Sequence, residues 1–170
     1  MKFKKVKLIA LAGVFLVGLL YFPNIFAQAT IGVNVNIKPV LMLEVLTPSH
    51  IYRSAGAAGA LLNTKFSIEE NPIYIRVRLS IPKGQVVQLH VQANGDLISS
   101  DGKTFPISNI AWHAKGEGFV DGILSNNSSQ VMATWNKSGY YEGVINYYWV
   151  KSPSFSQDFT QIITYTLIVL

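Results

Sequence analysis

A period of two dominates this chain. From Pro72 to Pro82, Ile73, Ile75, Val77, Leu79 and Ile81 alternate with Tyr74, Arg76, Arg78 and Ser80. Successive side chains of an extended strand point to opposite faces, so the pattern describes a strand with one buried and one wet face. Residues 85–92 repeat it with Val87, Leu89 and Val91 inward, and Pro82-Lys83-Gly84 is short enough for a hairpin-like turn between the two. Ile31, Val33, Val35 and Ile37 share one parity with Leu41, Leu43 and Val45, straight through Pro39, while Gly32, Asn34, Asn36 and Lys38 point the other way.

Further strands are expected over 105–112, 118–124, 129–135, 143–150 and 160–170. Pro106 marks the first of these as an edge or a bulge. Asn94-Gly95-Asp96, Asp101-Gly102-Lys103 and Ser125-Asn126-Asn127-Ser128 supply turn chemistry between them. No segment after residue 29 sustains a 3.6-residue period bounded by caps. Ser54–Leu62, dominated by Ala and Gly, reads as a flexible loop or one short helical turn. The expected fold is all-β: an antiparallel two-sheet β-sandwich of immunoglobulin-like character, with a closed barrel as the alternative.

The first 29 residues are different. Lys2, Lys4, Lys5 and Lys7 precede an uncharged apolar stretch from Leu8 to Phe22, and Ala27-Gln28-Ala29 has the small-x-small form of a cleavage site. Residues 8–22 would span only about 22 Å as a helix, against a hydrocarbon core of roughly 30 Å. A cleavable signal peptide over 1–29 and a single domain over 30–170 are therefore expected. Export through the general secretory route follows, with membrane contact only through the leader during transit.

Cleavage also changes the charge. Four of the 14 basic residues leave with the leader, so ten remain against nine acids. A near-neutral domain lacks the clustered cations that neutralise phosphates, and nucleic acid is not an expected partner. The absence of cysteine removes thiol nucleophiles, cysteine-based metal sites and lipid anchorage through an acylated cysteine.

No catalytic pattern emerges. His50, His90 and His113 are far apart in sequence, and His90 alternates outward between Gln88 and Gln92. Asp96, Asp101 and Asp121 sit beside glycines as turn residues, and Glu69-Glu70 lies in a loop before Asn71-Pro72. Neither a nucleophile elbow nor a phosphate loop is present. The reading is a protein that is not an enzyme and needs no cofactor or metal. Asn126, Asn127 and Asn136 each open an Asn-x-Ser acceptor sequence.

Two stretches carry a resemblance. Thr-Ile-Gly-Val-Asn-Val-Asn-Ile-Lys-Pro (30–39), followed by Val-Leu-Met-Leu-Glu-Val, is similar to the N-terminal region of bacterial fimbrial subunits. Ser-Gly-Tyr-Tyr-Glu-Gly-Val-Ile-Asn-Tyr (138–147) resembles a strand near the C-terminus of the same pilin-like sandwiches. The resemblance implies polymerisation by donor-strand exchange, in which the extension of one subunit fills a groove in the next. Ile31, Val33, Val35 and Ile37 would be the donor side chains. Four of them at roughly 1.5–3 kcal/mol each contribute on the order of 6–12 kcal/mol before ordering costs. The same residues suit the first strand of their own domain, and the strand expected at 160–170 departs from the fimbrial pattern and would complete the sandwich.

The expected function is thus a non-catalytic exported protein of the cell surface, structural or adhesive, with a fimbrial subunit as its sharpest form. Its partners would be copies of itself in a fibre or other envelope proteins. The alternative is a secreted carbohydrate-binding module that stacks sugars on Trp112, Trp135, Tyr147 or Trp149.

Overall fold

Alternation carries through into the folded chain. The computed structural model describes residues 39–151 and 158–170, which fall in one folded unit. The expected leader 1–29 and the donor candidates Ile31, Val33, Val35 and Ile37 lie outside the described residues.

Twelve strands are described: β1 (Val40–Leu46), β2 (Ile51–Gly56), β3 (Gly59–Phe66), β4 (Ile73–Ser80), β5 (Val87–Ala93), β6 (Leu97–Ser99), β7 (Thr104–Phe105), β8 (Ile110–Lys115), β9 (Gly122–Ile123), β10 (Gln130–Trp135), β11 (Gly139–Trp149) and β12 (Phe159–Val169). They form two antiparallel sheets. The first runs β2-β1-β4-β11-β8-β9. The second runs β10-β5-β12-β6-β7, with β3 also paired to β12. The described residues are all-β, and the sheets face each other across one core.

The inward parity is the one the sequence dictates. Leu41, Leu43, Val45, Ile75, Val77, Val87, Leu89, Val91, Ile163 and Leu167 are all buried. Tyr147 of β11 and Tyr165 of β12 meet between the sheets, their hydroxyls 2.8 Å apart. Burial of apolar area supplies the driving force, and the hydroxyl pair satisfies two polar groups that the core would otherwise leave unpartnered.

Three expectations need correction. Ser54–Leu62 is neither loop nor helix: it is the end of β2, a two-residue turn at Ala57-Ala58, and the start of β3. Small residues are required because the chain doubles back tightly, and a Cβ on Gly56 would lie 2.0 Å from the Gly59 carbonyl oxygen. The Pro82-Lys83-Gly84 link does not make a hairpin, since β4 and β5 belong to different sheets. The link crosses between sheets through a turn in which Gln85 N–H donates to Pro82 O, with Gly84 at φ +92°. Finally, the segment around Pro106 is two pieces, β7 and β8, separated by a 3-10 turn at 107–109.

Two polar side chains clip the β4–β11 pair at its ends. Asn71 accepts from Tyr147 N–H and donates to Tyr147 O, at 3.0 and 2.8 Å. Ser138 Oγ likewise accepts from Ile81 N–H and donates to Ile81 O, at 2.9 and 3.0 Å. Each substitutes for the strand neighbour that the ladder lacks at that point.

Candidate functional site

A two-sheet sandwich has two flanks, and here they are built differently. The flank at β8 and β10 is sealed by the segment 116–124. Val120 N–H donates to Met132 O at 2.9 Å, and Thr134 N–H to Gly118 O at 3.0 Å, which covers the edge of β10. The segment then crosses to pair Gly122 and Ile123 with Trp112 and Ala111 of β8, and Asp121 accepts from Ala114 N–H at 2.7 Å. That N–H, and then the His113 ring at 2.8 Å, hold the Asp121 carboxyl below its ordinary value.

Trp112 and Trp135 anchor this seal. Their indole N–H groups donate to Val120 O at 2.7 Å and to Glu117 O at 2.8 Å. Glycines let the segment lie against the rings: a Cβ on Gly122 would sit 2.3 Å from Trp112, and one on Gly143 would sit 2.5 Å from Phe119. Both tryptophans are buried, as is Tyr147. A sugar platform needs exposed ring faces, so these three candidates are core residues. Trp149 is half-buried and held edge-on by Phe105 and Phe159, with centroids 5.6 and 6.0 Å away. Among the described residues the exposed tyrosine rings are Tyr74, Tyr140 and Tyr148.

The opposite flank is open among the described residues: β2 pairs only with β1, and β3 only with β12. The two outer edges meet at the Gly56–Gly59 turn. At the far end Ser49 Oγ donates to Glu70 Oε1 at 2.6 Å, tying the β1–β2 turn to the β3–β4 loop. That bond is the main reason the Glu70 carboxyl lies below its ordinary value.

Burial separates the two open edges. The inward residues of β3 (Ala60, Leu62, Thr64 and Phe66) are at most 8 % exposed. Those of β2 (Tyr52, Ser54 and Gly56) remain half-exposed. Of the two open edges, β2 has the less covered inner face.

The outer face of the first sheet carries a charge ladder in register across four strands. Arg53, Glu44, Arg76 and Glu142 are successive cross-strand neighbours. Arg53 pairs with Glu44 at 2.6 Å and Arg76 with Glu142 at 2.8 Å. The Arg76 hydrogen bond, then that of Tyr140, lowers the Glu142 carboxyl, and the hydrogen bond to Glu142 raises Arg76. In the adjacent row Met42, Arg78 and Tyr140 rim a hollow of about 220 Å³.

Among the described residues no three of His, Asp and Glu converge as a metal site. Each histidine has its own neighbours: His50 with Ser49, His90 with Gln88 and Ser129, His113 with Asp121. His90 is half-buried, not simply solvent-facing, because those two hydrogen bonds fix its ring against the sheet. No protein-family model, curated protein or solved structure matches the chain.

Proposed function

We propose that this chain is a non-catalytic structural protein of the cell envelope, exported behind a cleaved leader, and that it associates with copies of itself by strand addition in the manner of a fimbrial subunit. The observation that carries this reading is the inequality of the flanks. One is sealed by a dedicated segment anchored on two tryptophans, and the other, among the described residues, leaves β2 and β3 with unpaired edges. An edge that natural sheets normally cover is a ready template for another strand. The chain also carries an alternating apolar segment, 31–37, ahead of β1. The immunoglobulin-like part of the reading rests on the paired antiparallel sheets and on the connections that cross between them.

Size measurement and negative-stain microscopy of the exported protein, with and without residues 30–38, test the reading. Fibres or oligomers that vanish on deletion, while the β-rich spectrum survives, are the expected result. A strictly monomeric protein in both forms refutes it.

A second reading, a carbohydrate-binding module, is favoured by the exposed Tyr140 beside Arg78 on the outer face of the first sheet. Glycan retention that falls in Tyr140→Ala supports it, and retention that is unchanged ends it.

A further inference from the structure

We infer that the outer edge of β2 is the acceptor, and that its occupant is the 31–37 segment of a second copy of this chain. The inference rests on the self-association proposed above and specifies its two partners.

Three observations point to β2. Both β2 and β3 have an unpaired outer edge among the described residues, but only β2 has a half-exposed inner face. Two of its three inward residues, Ser54 and Gly56, are small and leave room for branched side chains alongside them. A strand docked on that edge would turn Ile31, Val33, Val35 and Ile37 toward this under-covered strip and Asn34 and Asn36 toward solvent, beside the exposed Ile51, Arg53 and Ala55. The lengths agree, with seven donor residues against the six of β2.

Chain geometry favours a second copy at the β2 edge. β1 lies against the inner edge of β2, and only Lys38 and Pro39 separate Ile37 from β1. Adjacent strands are about 4.8 Å apart, so the outer edge of β2 is roughly 10 Å from β1 with the β2 backbone in between. Three Cα steps reach at most about 11 Å in a straight line. A path that must also clear β2 and its turn is longer than that. On this arithmetic all seven residues of the same chain's segment cannot lie along the β2 edge, and a segment arriving from another molecule can. Each copy then gives a strand at one place and takes one at another, a head-to-tail contact that extends into a filament unless it closes into a ring.

The absence of native cysteine makes disulfide trapping specific. Two differently tagged full chains, each carrying its own leader, are co-expressed: one bears Asn34→Cys or Asn36→Cys, the other Ile51→Cys or Ala55→Cys. Cysteines facing each other across neighbouring strands lie within bonding reach. The expected result is a shift from the monomer to the heterodimer band on a non-reducing gel, lost on reduction. Asn63→Cys on β3 is the control. Trapping on Asn63 in place of β2 overturns the choice of edge while leaving self-association standing. A double variant in one chain that forms only an intrachain disulfide overturns the choice of a second copy. Monomers without any disulfide overturn both this inference and the reading beneath it.

Discussion

The Tyr147–Tyr165 pair offers a sharp test of how the two sheets are held. Their hydroxyls are 2.8 Å apart, and both side chains are buried, at 4 % and 0 % exposure. In Tyr165→Phe the Tyr147 hydroxyl stays buried and loses its partner, a change that costs about 1–3 kcal/mol. Tyr147→Phe strands Tyr165 at similar cost. Replacing both removes the polar atoms together and is expected to be close to neutral, so the two single effects fail to add by more than about 1 kcal/mol.

The same burial makes stability depend on alkali. It pushes Tyr165 up to about 12 and Tyr147 well above its ordinary value. An unfolded tyrosine ionises near pH 10, so between about 10 and 12 the folded state holds more protons than the unfolded one. The contribution is fully present below pH 10 and is lost as pH rises through 12. For Tyr165 alone that loss is on the order of 3 kcal/mol. Urea denaturation of the four variants at neutral pH, and absorbance at 295 nm during an alkaline titration, read both effects. Additive single variants, or complete tyrosine ionisation in a protein still folded, would refute the reasoning.

Other perturbations probe the seal and the clips. Gly118→Ala forces a side chain onto φ +83° and brings its Cβ within 2.6 Å of Thr134 O; a loss of about 1–3 kcal/mol is expected from the melting curve, and an unchanged midpoint contradicts the packing described. Asn71→Ala leaves both Tyr147 backbone groups without their partner and is expected to cost about 1–3 kcal/mol by denaturant titration, whereas a surface-like effect would deny it a clip role. Leu43→Ala, at a fully buried site, should cost about 2–5 kcal/mol in the same assay; a cost below 1 kcal/mol would show that the core collapses around the gap.

Much of the fold was legible because its strongest signal is local. A run such as Ile73–Ile81 fixes both strand and inward face, and β1, β4, β5, β10, β11 and β12 lie close to their expected places. Partnership between strands was not legible. Nothing in Pro82-Lys83-Gly84 tells whether the chain turns back beside β4 or crosses to the other sheet, because both need only a short turn. The β2–β3 corner was hidden by its composition, since Ala and Gly carry no period. Burial of the tryptophans had a faint signal in Gly118 and Gly122, which make room for them. Asn71 and Ser138 gave none, because an amide or hydroxyl that replaces a strand neighbour looks like any loop residue.

Amide hydrogen exchange on the exported, assembled protein tests the central claim most directly. The account predicts that residues 31–37 and 51–56 are protected together in the assembly. Within 51–56, the N–H groups that face away from β1 should lose protection when residues 30–38 are deleted, while those bonded to β1 and the sealed flank at 118–120 and 132–134 are unchanged. Equal exchange at 51–56 in the two forms would contradict it.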